Sequence, residues 1–524
     1  MEESLDPRDW EALRALGHRA LDDAIDYMAS LRERPAWEHA PAAVKAHFEA
    51  DPEPPRGPQP LDDIYREYLE YVMPYQLGNS HPRFWGWVLG CGTTSGVLAG
   101  MLSAATDSVS GIYSFVANNY VELQVLGWCK AMLGFPADAG GLLTSGCSAS
   151  NLIALAVARS AKAGFDVRGE GLAGAPAGPD GAPRRLTVYC SEEAHSSFTK
   201  AVELLGLGTE SLRRVPADAA RRIDLGALEE LLARDRAAGL RPVCVVGVAG
   251  TTNTGAVDDL HGLADLCARE DLWFHVDGAF GAWAAIAPAS RHLVAGMERA
   301  DSLAFDLHKW MYLAYPVGCV LVRDAEAQLH TFSLTPSYLA HGEGERGLTG
   351  VDVPWLSDVG FELSRGFHAL KAWMTIKEHG VEKLGRVIQQ NVDQARYLGG
   401  LVEASPDLEL ALPVSLNICC FRYVRPGLDD AALDALNKAI EIELQERGIA
   451  VPSVSTIGGR KYLHVAVANH RSRRDDFDLL VREVVRLGAE LAAGAGGEAT
   501  GSGAAVGPGA GDPGSPGAPA SPSP

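Results

Sequence analysis

The middle of the chain alternates between short apolar runs and helix-like segments, and this alternation constrains the fold more than any other sequence feature. Five runs have strand length: LTVYC (186–190), PVCVVGVAG (242–250), LWFHVD (272–277), SLAFD (302–306) and VGCVLVRD (317–324). Longer segments with helical periodicity separate most of them, such as RIDLGALEELLARDRAAG (222–239). Apolar strands that alternate with helices predict an α/β fold with a mostly parallel sheet covered on both faces.

Polar side chains follow these runs directly, at the carboxyl ends of the predicted strands, where ligands bind in such sheets. In chain order they are His195, Thr251, Asp277, His308 and Lys309. Upstream, TSGCSASN (144–151) places small polar residues before an amphipathic helix. The free N–H groups at a helix start suit a phosphate. This order of groups predicts one ligand site.

Each of these residues alone has an ordinary structural explanation, as a turn former or a helix cap. Together they match what pyridoxal phosphate needs: an amine for its aldehyde, a carboxylate beside its pyridine nitrogen and N–H groups around its phosphate. We therefore predict that Lys309 bonds the cofactor and that Asp277 faces the ring nitrogen. We also expect a partly cationic site of low dielectric constant to lower the pKa of Lys309.

Charge and composition exclude other classes of partner. The formal net charge of −21 over 524 residues argues against a nucleic-acid partner, which requires basic patches. No apolar run is long enough to span a bilayer, and the acidic start MEESLDPRDW does not have the layout of a signal peptide. Nine scattered cysteines form no CxxC pair. These features predict a cytoplasmic protein with reduced thiols, no membrane partner and no metal site.

Four motifs carry a resemblance to a known family: TSGCSASN (144–151), EEAHSS (192–197), HVDGAF (275–280) and DLHKW (306–310). Together they resemble the group II pyridoxal-phosphate decarboxylases, the family of aromatic L-amino-acid and glutamate decarboxylases. The resemblance runs from about residue 10 to residue 490. It implies a fold-type-I, aminotransferase-like large domain, a smaller C-terminal α/β domain, and an obligate homodimer whose active site lies at the interface.

The resemblance and the composition together predict four segments. They are an N-terminal helical dimerisation segment (1–85), a pyridoxal-phosphate-binding large domain (86–385), a small C-terminal α/β domain (386–491) and a Gly/Ala/Pro/Ser tail (492–524). The tail contains almost no large apolar residue, so we expect it to be disordered.

The resemblance also implies a role for each residue of the site. Lys309 matches the lysine that bonds the cofactor, and Asp277 matches the partner of the pyridine nitrogen. Further cofactor contacts are implied for His195 on the ring face, Thr251, His308 near the phosphate, and Cys147 with Ser148 in the phosphate-binding turn. Asp306 departs from the family pattern, which commonly has asparagine there. Because a carboxylate repels a phosphate, whether Asp306 contacts the phosphate stays open.

The type of reaction depends on one tyrosine. In the family, a tyrosine on a mobile loop after the lysine gives a proton to the substrate α-carbon once CO2 has left. The relatives that form aldehydes have phenylalanine there. The matching segment is LTPSYLAHGEGERG (334–347), in which the tyrosine is present as Tyr338. The resemblance therefore implies a decarboxylase that forms an amine, with Tyr338 as proton donor; the alternative is a loop residue that only packs.

The segment HPRFWGW (81–87) bears on the substrate. Glutamate-type members resemble HPRFFNQ, with a polar pair that helps to hold an acidic side chain, where this chain has Gly86 and Trp87. An aromatic wall without polar partners favours an aromatic substrate, since an unpaired buried charge is costly. We expect an aromatic L-amino acid in contact with Trp87. Decarboxylation of an acidic or aliphatic amino acid, transamination, aldehyde synthesis and a non-catalytic binding role stay open as alternatives.

Overall fold

The computed structural model describes residues 3–50, 52–112, 115–178, 181, 184–334 and 355–498. Its centre is a seven-stranded sheet with the order β1-β7-β6-β5-β4-β2-β3. The strands are β1 (Gly140–Thr144), β2 (Leu186–Ser191), β3 (Leu212–Val215), β4 (Arg241–Val248), β5 (Trp273–Asp277), β6 (Ser302–Asp306) and β7 (Gly318–Val322). Neighbours from β3 to β6 pair in parallel, whereas β7 is antiparallel to β6 and β1. The predicted mostly parallel α/β sheet is confirmed.

Helices connect and cover the strands. They are α1 (Trp10–Ala29), α2 (Ala42–Glu49), α3 (Leu61–Glu67), α4 (Thr94–Thr106), α5 (Ala117–Leu133), α6 (Cys147–Lys162), α7 (Val167–Glu170), α8 (Ser197–Leu204), α9 (Leu225–Ala237), α10 (Leu260–Glu270), α11 (Ala325–Phe332), α12 (Ala369–Glu403), α13 (Asp430–Glu446) and α14 (Arg474–Glu498). Every residue of β2, β5, β6 and β7 is buried. A strand buried on both faces needs apolar residues at consecutive positions, which explains the runs in the sequence.

A second, smaller sheet lies towards the C-terminus. It contains β8 (Leu408–Leu410), β9 (Ile418–Tyr423), β10 (Ser453–Ile457) and β11 (Arg460–Ala466), paired antiparallel in the order β10-β11-β9-β8. Its core includes Phe421, Leu463 and Phe477, with Phe477 contributed by α14. The expected boundary at residues 385 and 386 falls inside α12, shortly after a kink at Gly380, where the backbone is not helical (φ 71°, ψ 152°).

The N-terminal helices expose apolar side chains. No residue of α1, α2 or α3 is buried, and Trp10 and Ile25 of α1 are 59% and 47% exposed. Helix α4 adds four exposed apolar residues: Val97, Leu98, Met101 and Leu102. Isolated surface apolar residues are normal, whereas several on adjoining helices are typical of an interaction surface.

Helix α14 continues to Glu498, so its last residues belong to the segment 492–524 that the sequence predicts as a tail. Ala492 and Ala493 favour extension of a helix that has already formed. Residues 499–524 lie outside the described residues. Among the helices that the structure describes, none is long and apolar enough to cross a membrane. All nine cysteines are buried and free of disulfide bonds.

Candidate active site

A cavity of about 320 Å3 lies at the carboxyl ends of β4, β5 and β6, beside the start of α6. Six residues predicted from the sequence line it: Cys147, Ser148, His195, Asp277, His308 and Lys309. These residues lie in segments that follow different strands, and the parallel topology brings the segments together at one edge of the sheet. A larger cavity of about 660 Å3 beside α1 and α4 has mostly apolar walls and contains none of the six. The smaller cavity is therefore the candidate active site.

Lys309 forms an ion pair with Asp306 beside this cavity. Its Nζ lies 3.1 Å from Oδ2 of Asp306, and the lysine side chain is 22% exposed. Burial acts to lower the pKa of Lys309, but the carboxylates of Asp306 and Asp277 and the thiol of Cys147 outweigh burial and raise it. The expected lowering of this pKa is therefore wrong for the described arrangement, because the charge beside the amine is negative rather than positive.

The start of α6 contacts the same carboxylate. The Cys147 N–H donates to Oδ1 of Asp306 at 2.7 Å. The hydroxyls of Thr144 and Ser150 lie 2.8 Å apart and hold the preceding turn against the helix. N–H groups at a helix start attract anions, so the Asp306 carboxylate accepts from one of the N–H groups that the sequence assigns to a phosphate. A phosphate bound at the start of α6 would therefore compete with Asp306 for the Cys147 N–H.

Asp277 ends β5 and is 4% exposed. Its Oδ1 accepts from the Ala279 N–H at 3.0 Å, and its Oδ2 accepts from Nδ2–H of Asn151 at 3.3 Å. Burial raises the pKa of Asp277, against the opposing effects of Lys309 and the Ala279 N–H. Asn151 was not identified from the sequence, although it lies four residues after Cys147 and therefore on the same face of α6.

Two histidines line the cavity, and burial lowers the pKa of both His195 and His308. Nδ1 of His195 accepts from the Ser197 N–H at 3.2 Å, so this neutral ring carries its proton on Nε2. Nδ1 of His308 lies 3.1 Å from the Val317 nitrogen and 3.0 Å from the Val317 carbonyl oxygen, so it faces both a donor and an acceptor. Nε2 of His308 is 3.6 Å from Oδ2 of Asp306.

Two predicted site residues that the structure describes, Thr251 and Trp87, do not line this cavity. Thr251 is buried, and its hydroxyl accepts from the Ala256 N–H at 3.2 Å to close a turn, so its neighbour Thr252 lines the cavity instead. Trp87 is 51% exposed, and its N–H donates to Oγ of Ser453 at 2.9 Å. Tyr338 lies outside the described residues.

Gly90 allows the N-terminal segment to approach the lysine closely. A Cβ atom at Gly90 would lie 1.9 Å from the His308 carbonyl oxygen and 2.5 Å from that of Lys309. The Gly90 N–H donates to Oη of Tyr315, which lines the cavity, at 3.3 Å. Backbone therefore packs against backbone here, and no side chain fits.

The donor set fits pyridoxal phosphate. Lys309 offers an amine, Asp277 a buried carboxylate, and the start of α6 with Ser148 offers N–H and hydroxyl groups, all at one cavity. His195 adds an imidazole to the same wall. These are the groups that an aldehyde, a pyridine nitrogen, a phosphate and an aromatic ring require.

Known proteins resemble this chain along most of its length. A family model described as the pyridoxal-dependent decarboxylase conserved domain matches residues 41–424. An aromatic-L-amino-acid decarboxylase from Bacillus atrophaeus is 32% identical over 485 residues, covering 92% of this chain and 96% of that protein. A phenylacetaldehyde synthase from Arabidopsis thaliana is 27% identical over 474 residues, covering 88% and 93%. The crystal structure of Oryza sativa TDC with PLP and tryptamine has a TM-score of 0.84 at 27% identity, covering 93% of this chain and 100% of that one.

Proposed function

Because this chain belongs to the pyridoxal-dependent decarboxylase family and is a pyridoxal-phosphate-dependent amino-acid decarboxylase, we propose that it converts an aromatic L-amino acid to the amine and CO2. The observation that carries the proposal is the single cavity that joins the Lys309 amine, the Asp277 carboxylate and the start of α6.

The proposed roles come from the resemblance to the family, and the shared cavity that these residues line supports them. Lys309 bonds the cofactor aldehyde, Asp277 holds a proton on the pyridine nitrogen, and His195 packs on the ring. The start of α6 and His308 hold the phosphate. When bound, pyridoxal phosphate supplies an electron sink for the α-carbon that loses CO2. Lys309 must first give up a proton, and Oδ2 of Asp306, 3.1 Å from its Nζ, is the nearest described base.

Charges around the cavity support an aromatic rather than an acidic substrate. Of the described residues that line it, Lys309 is the sole lysine and none is an arginine, whereas Asp277, Asp306 and Glu193 are acidic. Among the described lining residues, an acidic substrate side chain would therefore find no cation other than Lys309 and would face like charges. Phe280 and Tyr315 contribute aromatic surface to the same wall. The contact between Trp87 and the substrate stays a proposal from the sequence.

Tyr338 is proposed as the donor of the proton to the α-carbon. A phenol on a loop that closes over the substrate can deliver a proton while it excludes water. The proposal depends on the resemblance of the segment 334–347, because Tyr338 lies outside the described residues.

A homodimer is also proposed. Three of the exposed apolar residues of α1 and α4, namely Ile25, Leu98 and Met101, are 41–51% exposed in a single chain. A second copy of the chain would cover this surface. Sedimentation of the purified protein should give twice the mass of one chain, and an active monomer would contradict the proposal.

The test is a panel of L-amino acids incubated with purified holoenzyme, with CO2, amine, aldehyde and keto acid measured together. We expect CO2 and amine in equal amounts from tryptophan, tyrosine or another aromatic amino acid, and far less from glutamate or leucine. Similarity to a phenylacetaldehyde synthase makes aldehyde the second candidate product. Aldehyde with ammonia and peroxide would establish that activity, and a keto acid would indicate transamination.

A further inference from the structure

Behind Asp277, four buried polar side chains form a continuous chain of hydrogen bonds. Oδ2 of Asp277 is 3.3 Å from Nδ2 of Asn151, whose Oδ1 is 2.9 Å from Nε2 of His275. Nδ1 of His275 is 2.9 Å from Oγ of Ser302, which is 2.8 Å from Nε1 of Trp273. All five side chains are at most 5% exposed, so water does not compete with these bonds.

The sheet itself aligns this chain. Trp273, His275 and Asp277 occupy alternate positions of β5 and therefore share one face of the strand. Ser302 begins β6 and is the register partner of His275. Asn151 lies in the second turn of α6, which packs against β5 and β6.

The hydrogen bonds have one direction. An indole N–H can only donate, so Ser302 Oγ accepts from Trp273 and its own proton is free for Nδ1 of His275. Burial lowers the pKa of His275 to about 3, so the ring is neutral and its other nitrogen, Nε2, donates to Oδ1 of Asn151. The Asn151 amide nitrogen then faces Oδ2 of Asp277, and its second proton faces Oγ of Ser197 at 3.2 Å.

The opposite direction is compatible only with a protonated Asp277. If Nδ1 of His275 donated to Oγ of Ser302, this oxygen would accept from both the indole and the imidazole, and the Ser302 proton would lose its acceptor in this chain. Nε2 of His275 would then need a donor, and the Asn151 amide would have to turn over. Its oxygen would face Oδ2 of Asp277 at about 3.3 Å, a contact that repels a carboxylate and that only the protonated acid can make. The direction towards Asp277 therefore belongs to the ionised carboxylate.

We propose that Trp273, Ser302, His275 and Asn151 are positioning residues that fix the Asn151 amide as a donor to Asp277 and so keep this carboxylate ionised opposite the pyridine nitrogen. The inference rests on the proposed role of Asp277. Burial alone favours the neutral acid, which could not hold a proton on the cofactor ring, whereas a donated hydrogen bond favours the carboxylate. Side chains that never contact the cofactor thus set the charge that its nitrogen meets.

The test compares two ligands of the cofactor-free protein by calorimetry: pyridoxal phosphate and its 1-deaza analogue, in which C–H replaces the ring nitrogen. The dissociation constant of the deaza analogue divided by that of pyridoxal phosphate measures the contact with the ring nitrogen. General damage to the fold weakens both ligands equally and leaves this ratio unchanged. Ser302→Ala and Trp273→Phe should reduce the wild-type ratio roughly 2- to 10-fold, the scale of one neutral hydrogen bond, and Asn151→Leu should reduce it more. Ser290→Ala is the control, because this serine is equally buried and bonds Gln389 instead.

Asp277→Asn separates the inference from the proposed function. If this variant keeps the wild-type ratio, Asp277 does not partner the nitrogen and the proposed role fails. If Asp277→Asn lowers the ratio of the two dissociation constants while Ser302→Ala and Trp273→Phe leave it at the wild-type value, the positioning inference is overturned. A loss of affinity for both ligands by the same factor also overturns it, since that is damage to the fold. Should Asn151→Leu not fold, the other two variants decide.

Discussion

Asparagine in place of Asp306 is predicted to tighten the binding of pyridoxal phosphate. The carboxylate accepts from the Cys147 N–H at 2.7 Å and pairs with Nζ of Lys309 at 3.1 Å. A phosphate at the start of α6 competes for the first contact, and the cofactor aldehyde competes for the second. The phosphate also brings negative charge close to the Asp306 carboxylate, which is 2% exposed. Asparagine has nearly the same shape, loses the charge and offers an amide donor to the phosphate.

The size of the effect follows from the new hydrogen bond that the asparagine amide donates to the phosphate. A hydrogen bond with a charged partner contributes about 1.5–3 kcal/mol. At about 1.4 kcal/mol per factor of ten, this is roughly a tenfold to hundredfold lower dissociation constant. Two unit charges at 4 Å would interact by at most about 4 kcal/mol at an effective dielectric constant of about 20. Relief of repulsion therefore acts in the same direction, and tenfold is the lower bound.

The assay is titration of cofactor-free protein with pyridoxal phosphate, followed by absorbance or calorimetry. Asp301→Asn is the matched control, because the Asp301 carboxylate also accepts a backbone N–H, from Phe274 at 2.8 Å, but lies outside the cavity. The control should bind the cofactor as the wild type does. Unchanged or weaker binding by Asp306→Asn would refute the competition between Asp306 and the phosphate.

Three further changes test the proposed roles and the folded state. Lys309→Ala should preserve the fold, checked by circular dichroism, and reduce turnover by several orders of magnitude, because the covalent link is lost; near-normal turnover would exclude Lys309. Tyr338→Phe should form aldehyde, ammonia and peroxide in air instead of the amine, because the proton donor is gone. The products are analysed in air and under nitrogen, and undiminished amine would contradict the role of Tyr338. Burial lowers the pKa of His464 from 6.5 to about 4, so the unfolded chain takes up the proton first. The free energy of unfolding should therefore fall as the pH drops from 6.5 to 4, by about 1.4 kcal/mol per unit for this group. Denaturant titrations at several pH values should show that the free energy of unfolding of His464→Gln falls less steeply with decreasing pH than that of the wild type. An equal dependence on pH would contradict this assignment.

The sequence was sufficient to predict which segments meet. Apolar runs that alternate with helices fix a parallel sheet, and a parallel sheet places the carboxyl ends of its strands at one edge. Asp277 and Lys309 are 32 positions apart (309 − 277) and still line one cavity for this reason. The strand topology alone predicts that these residues lie close together, without knowledge of side-chain contacts.

Contacts that depend on local geometry could not be predicted. Thr251 and Thr252 are adjacent, and only the turn closed by the Thr251 hydroxyl decides which of them lines the cavity. The raised pKa of Lys309 arises from an Asp306 rotamer that reaches both the amine and α6. Asn151 belonged to a recognised motif, but its contact with Asp277 depends on how α6 packs against β5.

Reduction of the holoenzyme with sodium borohydride, followed by peptide mass mapping, tests the central claim most directly. The treatment fixes the cofactor permanently to the lysine that bonds it. The account predicts one pyridoxyl group per chain, on the peptide that contains Lys309. A pyridoxyl group on another lysine, such as Lys200 or Lys371, with Lys309 unmodified, would contradict it.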